Sequence, residues 1–588
     1  MKPLNDLDSR RLFFQRIFGS EDACPEQYKK VSQNIIKKCG GVPLVIISIA
    51  SLLAIQECMH KEKWENIQKS MILELETSQT FEWMRHVLNL SYNDLCHSLR
   101  SCFLYLGIYP EDYKIEKVNL VRRWIAEGFV SGKHGLSPEE VADSIFNELI
   151  NRNMIQPAGF EYGELTYCQV HDVMLEFILS KSIEENFITI IDEQRSTKGT
   201  FEVRRLCLQM KNARVVPANM RLSQIRSLTI FGNTDGMPYL SRFELLRVLD
   251  LYCDKFDGTE CLDCSVICKL FQLRYLRITS YQFKLKRIGE LRHLETLDIA
   301  DAIVPSIPSD ITHLKSLRHL TIPADSDLPK GILNMGALRA LGFFNLVENS
   351  ADNIRDLGEL TNLRELDLIW TKQILKAQGL CEKLKLSFLI DSLGKLTNLR
   401  SLYVSSIDTK LVSPKCDFLI CWFPPPRNLQ RLSLSFCTIS KVPEWISELD
   451  KLTSLKIRVK ELPRDAVKLL GELPCLVYLD LSAPKEPTQD QIFYRNTYPR
   501  LREFGFAYTF SSVTFEPRTM ANLQILHLTF CMHRQNQEGR SLTGIEHLLN
   551  LEQLTACIYN CGDIGIAFRD AILRHPRSNT FNVLFPRC

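Results

Sequence analysis

Leu363-Arg-Glu-Leu366-Asp-Leu368 is the stretch that decides the fold, because its spacing of apolar residues returns throughout the later part of the chain. The pattern is an apolar residue, two variable residues, an apolar residue, one variable residue and another apolar residue. It recurs in roughly fifteen units, mostly spaced by about 21 to 25 residues. Close copies begin at Leu246, Leu273, Leu294, Leu317, Leu399, Leu429 and Leu476, and weaker copies at Val203, Ile225, Leu338, Leu452, Leu501, Leu523 and Leu551.

This periodicity predicts a solenoid. Each unit offers one short strand whose apolar side cannot be buried alone, so the units must stack into a parallel sheet over a continuous leucine core. Units of this length and pattern are typical of leucine-rich repeats. The variable positions, such as Arg274, Arg277, Arg364 and Glu365, are expected on the exposed concave face. Solvation of that face is the simplest role for any one of them.

Two spacings in the array are longer than a regular unit. They run from Leu363 to Leu399 and from Leu399 to Leu429, and the second contains Cys421-Trp-Phe-Pro-Pro-Pro426. We expect the extra residues to form loops, some of which could bind a partner.

Upstream of the repeats, the pattern changes to helices followed by a hairpin. Ser137-Pro138-Glu139-Glu140 combines an N-cap serine, a proline at the first helical position and a glutamate three residues after the cap, which marks a helix start. A strand over about 164–169 is expected after a turn spanning Gly159 to Gly163. His171-Asp172 then opens another helix, and this order of elements suggests a winged helix.

The first part of the chain reads as helical. Residues 28–55 form a predicted helical pair that is broken at Gly40-Gly41-Val42-Pro43. The apolar run from Val42 to Ile55 spans about fourteen residues, whereas a bilayer needs about twenty. We interpret it as a buried helix of a soluble domain.

The composition indicates a folded protein. Hydrophobic residues make up 45% and charged residues 24% of the 588 residues, close to globular averages. The 72 basic and 69 acidic residues leave a net charge of +3, too even a balance to indicate a nucleic-acid or membrane surface. The 20 cysteines are scattered, and no start resembling a signal peptide precedes them, which favours reduced thiols in the cytosol or nucleus.

One cysteine group is a candidate metal site. Cys261, Cys264 and Cys268 contain one Cys-x-x-Cys pair, but no second pair is evident. Leucine-rich units often place cysteine at a buried turn position, so a packing role is the alternative.

Three sequence blocks, in this order, resemble the plant intracellular immune receptors with a nucleotide-binding region and leucine-rich repeats, especially the class that begins with a coiled coil. Gly41-Val42-Pro43-Leu44 is similar to the family's Gly-Leu-Pro-Leu motif. The segment from Cys102 to Tyr113, CFLYLGIYPEDY, is similar to its Cys-Phe-Leu-Tyr block and is followed by Trp124-Ile125-Ala126-Glu127-Gly128-Phe129. Val170-His171-Asp172 resembles its Met-His-Asp signature, with valine in place of methionine.

The resemblance implies a nucleotide-controlled switch. It implies that Pro43 packs near the adenine and that His171 contacts the terminal phosphate of ADP, which holds the receptor closed. A histidine before a helix start also lies beside unsatisfied backbone N–H groups, a ready anion site. Without the resemblance, a purely structural histidine is the alternative. Asp172 could orient His171, but capping of the following helix is the simpler prediction.

The family's phosphate-binding loop, Gly-x-x-x-x-Gly-Lys-Ser/Thr, does not occur in this sequence. The chain opens on a stretch, Ser9-Arg10-Arg11-Leu12-Phe13-Phe14, that resembles the interior of the family's nucleotide-binding region. We therefore expect an N-terminally truncated member. The predicted fold is multidomain: an α-helical bundle remnant of the NB-ARC region over 1–78, an α+β winged-helix domain over 79–195, and an α/β leucine-rich-repeat solenoid, a horseshoe, over 196–588.

The leading functional hypothesis is an ADP/ATP-switched disease resistance protein of the cytoplasm. Its repeats would contact a pathogen effector or a guarded host protein, and another member of the family could be a partner. The alternative is a free-standing leucine-rich-repeat interaction module or decoy with no nucleotide binding. DNA binding through Arg122 and Arg123 has thin support, because specific binding needs many contacts. No enzyme is expected, since no catalytic grouping has a recognisable motif context.

Overall fold

The structure, a computed structural model, separates into two compact units, one of Met1–Phe160 with Leu165–Asp254 and one of Glu161–Glu164 with Lys255–Cys588. It describes residues 4–54, 64–65, 80–191, 203–210, 220–232, 239–252, 261–262, 266–279, 282–283, 286–304, 306–370, 380–406, 416–422, 424–434, 437–483, 490–509, 512–531, 541–559, 569–578 and 581–584.

The first unit begins with three helices: α1 (Asp6–Phe18), α2 (Glu26–Lys38) and α3 (Pro43–Ala54). The break between α2 and α3 is the predicted one, because Gly40 and Gly41 both have positive φ angles, +57° and +74°, which side chains disfavour. Proline then occupies the first position of α3, where its missing N–H costs nothing. Within the described residues, no helix combines the length and the apolar character that a membrane crossing would need.

A winged helix follows, in the same unit except for Glu161–Glu164. The capping box predicted at its fourth helix is confirmed, because the Ser137 hydroxyl accepts from the Glu140 N–H at 3.3 Å and the Glu140 carboxylate accepts from the Ser137 N–H at 2.9 Å. Its three strands are ordered β1-β3-β2. The elements are α4 (Thr80–Asn93), α5 (His97–Tyr105), β1 (Ile115–Glu116), α6 (Lys117–Glu127), α7 (Pro138–Asn151), β2 (Gln156–Glu161), β3 (Glu164–Gln169) and α8 (Asp172–Glu184).

The predicted turn from Gly159 to Gly163 is wrong in extent. Gly159 lies inside β2, and the turn contains only Tyr162 and Gly163. Both turn residues have positive φ, +53° and +75°, the backbone that a tight two-residue hairpin requires.

The first strands of the repeat array belong to the first unit and share its core. They pair in parallel, and Cys207 and Phe231 are buried in the same cluster as the winged-helix residues Phe103, Trp124 and Ile178. The strands are β4 (Thr189–Ile191), β5 (Arg205–Met210), β6 (Ser227–Gly232) and β7 (Val248–Tyr252).

The second unit continues the repeats as a parallel sheet. Each of the fifteen predicted repeats, in the first and the second unit, leads into a strand. Leucines of the pattern, such as Leu366, Leu402 and Leu432, are buried. The prediction of stacked repeats is therefore confirmed. The main-sheet strands are β9 (Tyr275–Thr279), β11 (Thr296–Asp298), β12 (His319–Thr321), β13 (Ala340–Asn345), β14 (Glu365–Trp370), β15 (Ser401–Ser406), β16 (Arg431–Leu434), β17 (Ser454–Arg458), β18 (Tyr478–Ala483), β20 (Glu503–Thr509), β22 (Ile525–Cys531), β24 (Gln553–Tyr559) and β25 (Asn582–Leu584).

Short strands add two smaller parallel sheets in this unit. One pairs β8 (Cys261–Leu262) with β10 (Gln282–Phe283). The other contains β19 (Gln491–Phe493), β21 (Val513–Phe515) and β23 (Leu542–Thr543).

An asparagine ladder joins successive repeats of the second unit. The side-chain amides of Asn362, Asn398 and Asn428 donate to backbone carbonyls of the preceding repeat, those of Gly336, Thr361 and Thr397, over 2.8, 2.9 and 3.1 Å. Each bond satisfies a carbonyl at a turn, where no strand partner is at hand. Such a bond fixes one repeat against the next.

The long spacings were predicted to be loops, and this is wrong for the first of them. Much of the stretch after Leu363 forms a helix, Leu380–Lys395, which follows the shorter helix Ala351–Asp356 and precedes a third at Arg464–Gly471. In the second stretch Trp422 is buried and its ring packs edge-on against Trp445 with 5.3 Å between ring centroids. That tryptophan contributes to the core, not to an exposed loop.

Candidate functional site

His171 is the N-cap residue of α8. Its Nδ1 accepts a hydrogen bond from the Val173 N–H at 3.3 Å, which satisfies one of the free donors of the helix start. An acceptor at Nδ1 places the proton of the neutral imidazole on Nε2. The half-buried ring therefore offers an N–H donor at the positive end of a helix dipole.

The capping prediction for Asp172 is wrong. Asp172 is the first residue inside the helix and is exposed, whereas the cap is supplied by His171. The carboxylate of Asp172 instead adds negative charge to the first turn, which stabilises the helix through its dipole. That same charge would weaken the attraction of an anion to His171.

Pro43 opens α3 in the helical part of the first unit. It is half-buried beside Val42, whose side chain packs on the cluster formed by Phe13, Ile35 and Ile49. Part of the surface of Pro43 therefore remains accessible. His171 adjoins a different cluster through Val173, and the described contacts do not join it to Pro43.

Arg123 was considered as a phosphate contact, and the structure contradicts this. Its side chain is only 1% exposed and its Nη1 lies 2.6 Å from the Asp250 carboxylate. Nε donates to the Tyr105 hydroxyl at 3.1 Å, and Nη2 donates to Thr229. The guanidinium also lies over the Tyr109 ring, 5.6 Å from its centroid. A cation enclosed in this way cannot reach a nucleic-acid backbone.

A second charged pair lies beside this one in the same unit. The Arg205 guanidinium lies 3.0 Å from the fully buried Glu127 carboxylate, and it stacks on the rings of Phe129 and Phe187 at 4.7 and 4.1 Å. Cys207 donates its thiol to the Ile108 carbonyl at 3.1 Å. These contacts join α6 to strands β5 to β7, so the winged helix and the first repeats of this unit share one polar network as well as one core.

Sequence reasoning missed this network. A weak signal was present, because Arg123 and Glu127 stand four residues apart in a helix whose neighbouring positions Leu120 and Trp124 are buried. Charged residues on such a face must find buried partners. Nothing in the repeat pattern distinguishes Asp250, which is 3% exposed, from the other aspartates at the same strand position.

The cysteine candidate for a metal site lies partly outside the described residues, because Cys264 is not among them. The Cys268 thiol donates to the Lys286 carbonyl, and burial raises the pKa of Cys268 to about 11. That environment favours a protonated thiol, whereas metal ligation needs a thiolate. Among the described residues no three His, Cys, Asp or Glu side chains come together as a metal site.

A winged helix followed by a parallel leucine-rich-repeat solenoid defines the class of protein, and family comparisons agree with it. A model described as "Disease resistance protein Winged helix domain" matches residues 108–178, and one described as "Leucine-rich repeat region" matches residues 224–575.

Curated relatives carry the same description. The chain is similar to the disease resistance protein RGA5 of Oryza sativa, with 37% identity over 98% of this chain and 53% of the relative. It is also similar to the disease resistance protein Pik-2 of the same species, with 34% identity over 82% of this chain and 51% of the relative, and to RPM1 of Arabidopsis thaliana, with 29% identity over 92% and 58%. The chain belongs to the leucine-rich-repeat family, its winged helix matches the model of disease resistance proteins, and it spans about half the length of the relatives named here.

Proposed function

We propose that this chain is part of an ADP/ATP-switched immune receptor of the plant cytoplasm that acts in defence against pathogens. The relatives named as disease resistance proteins support the general role. The repeats would bind a pathogen effector or a guarded host protein, and another member of the family could assemble with it. In this proposal the chain is a binding protein and not an enzyme.

The observation that carries the nucleotide part is the position of His171. An imidazole whose Nδ1 caps the helix keeps Nε2–H as a donor toward an anion at the helix start. We assign this N–H to the terminal phosphate of ADP and the half-buried Pro43 ring to the adenine. The nucleotide would supply charge and shape that hold the switch closed, while His171 donates and Pro43 packs.

A second candidate is a free-standing leucine-rich-repeat interaction module or decoy without nucleotide binding. The repeat array favours it, because stacked repeats form an extended binding surface that needs no nucleotide. The proposed nucleotide role, in contrast, predicts ADP binding with a marked dependence on His171.

Calorimetric titration of the purified chain with ADP tests the proposal, with His171→Asp as the variant. Aspartate keeps a capping acceptor but repels phosphate, so loss of ADP binding with unchanged helix content supports the assignment. Equal titrations for the wild type and the variant would favour the second candidate.

A further inference from the structure

The turn residues Glu161–Glu164 belong to the second unit, where Tyr162 and Glu164 contact side chains of the parallel sheet. The Tyr162 ring lies 5.7 Å from the Tyr403 ring and 6.0 Å from the Tyr478 ring, the latter edge-on. Lys456 Nζ lies 5.9 Å from the centroid of the Tyr162 ring. Glu164 forms an ion pair with Arg431. Tyr162 and Glu164 of the turn therefore both contact side chains of the sheet, on either side of Gly163.

The sheet residues in these contacts form one surface, here named the tyrosine–arginine patch: Tyr403, Arg431, Lys456 and Tyr478. They stand on four neighbouring strands, β15 to β18, whose leucines point to the opposite, buried side. Tyrosine and arginine are the residues that most often dominate recognition surfaces, because they combine large contact area with directional polar groups.

The patch is held in shape by its own contacts. Arg431 Nε donates to the Ser401 hydroxyl at 2.8 Å and Nη2 lies 3.5 Å from Glu365, while Lys456 pairs with Asp480 at 3.0 Å. Burial raises the pKa of Tyr403 to about 12, so its hydroxyl stays neutral. With Nε and Nη2 engaged in the sheet, Arg431 presents Nη1 to the carboxylate of Glu164, so the patch fits one acidic group at this position.

The turn also fits the patch through its backbone. At Gly163, where φ is +75°, an added Cβ would lie 2.8 Å from the Tyr478 Cβ, closer than real atoms approach. Tyr162 holds a φ of +53°, an unfavourable conformation for an aromatic residue. Strained residues of this kind are retained where a specific contact requires them.

We propose that the tyrosine–arginine patch is a recognition site for a surface turn of aromatic–glycine–acid chemistry on a partner protein, and that residues 162–164 are its resident occupant. A partner turn of the same chemistry binds only when the resident turn leaves. The inference rests on the proposed role of the repeats in protein recognition, and it does not involve the nucleotide.

The test uses a fluorescent peptide of residues 156–169 and the full chain in three forms. Gly163→Ala leaves the patch unchanged but prevents the resident turn from seating. Gly135→Ala is the matched control, because Gly135 has a φ of +84° and nothing within 4 Å of an added Cβ. We expect the peptide to bind Gly163→Ala at least tenfold more tightly than the wild type or Gly135→Ala. Equal binding to all three, or none to a folded Gly163→Ala, overturns the inference.

Further variants show which groups of the patch and of the turn are recognised. Glu164→Lys places a positive charge beside Arg431 and so drives the resident turn off the patch by repulsion. This variant replaces Gly163→Ala if that protein does not fold, and we expect the same gain in peptide binding. Adding Arg431→Glu to the Gly163→Ala form should abolish peptide binding, and a peptide with Tyr162→Ala should bind at least tenfold more weakly. Binding that ignores both changes indicates unspecific charge attraction and overturns the inference. The assay contains no ADP, so its failure leaves the nucleotide proposal standing.

Discussion

The Arg123 guanidinium and the Asp250 carboxylate meet at 2.6 Å with both side chains inaccessible, although 127 residues separate them in the sequence. Removing one member leaves an uncompensated buried charge, which costs about 3 to 5 kcal/mol. We therefore predict this loss of unfolding free energy for Arg123→Met, measured by urea denaturation followed through tryptophan fluorescence. The half-exposed neighbour Arg122→Met is the control and should change it by less than about 1 kcal/mol.

Replacing both members tests whether the penalty comes from the orphaned charge. The double variant Arg123→Met with Asp250→Leu removes both charges and fills the space, so it should recover most of the loss. A double variant as unstable as Arg123→Met would show that the hydrogen bonds to Tyr105 and Thr229, and not charge pairing, carry the stability.

The N-cap at His171 predicts a modest stability effect that is separate from nucleotide binding. His171→Ala removes the acceptor of the Val173 N–H and should lower the unfolding free energy by about 0.5 to 2 kcal/mol. His171→Asn keeps a capping acceptor and should stay near the wild type. If the asparagine variant is destabilised as much as the alanine variant, the hydrogen bond contributes little.

Asp367 predicts a pH dependence of stability. Burial raises the pKa of Asp367 to about 7, and its Oδ1 is enclosed with no hydrogen-bond partner among the described atoms. The folded state holds this proton more tightly than the unfolded state. The contribution of Asp367 to the unfolding free energy is therefore fully present below about pH 4, and it is lost as the pH rises toward and through 7. Asp367→Asn should therefore be more stable than the wild type at pH 8 and no more stable at pH 4, as thermal denaturation at the two pH values would show. A constant difference would contradict a buried titrating carboxyl.

The asparagine ladder predicts that each of its hydrogen bonds contributes to the free energy of unfolding. Asn398→Ala removes the bond to the Thr361 carbonyl and should cost about 1 kcal/mol of unfolding free energy. Asn334→Ala, at an exposed position in another repeat, is the control and should cost less than about 0.5 kcal/mol. Equal losses would mean that the ladder adds nothing beyond ordinary turn packing.

The elements that the sequence predicts are those encoded by local chemistry. The strand of every repeat follows from leucine periodicity, and the start of α7 follows from Ser137 and Glu140, three residues apart. The turn was misplaced because Gly159 suggested a loop, whereas only Tyr162 and Gly163 have the backbone of the turn. A glycine in the sequence indicates that the chain can bend there, but it does not show at which residue the strand ends.

The contacts that define the sites are not local, and this limits what the sequence predicts. The resemblance pointed to Pro43 and His171, but only the structure shows that Nδ1 of His171 caps the helix. The partner of Arg123 lies in a distant repeat, and the residues that receive Tyr162 lie on strands more than two hundred positions away. No periodicity encodes which exposed strand residue meets which turn.

The central claim is that His171 recognises the terminal phosphate of ADP, and a comparison of ADP with AMP tests it most directly. Dissociation constants for both nucleotides would be measured by calorimetry on the wild type and on His171→Asp. The account predicts that the wild type binds ADP more tightly than AMP and that this preference disappears in the variant, because the donor toward the terminal phosphate is gone. A preference of the same size in both proteins, or no ADP binding to either, would contradict it.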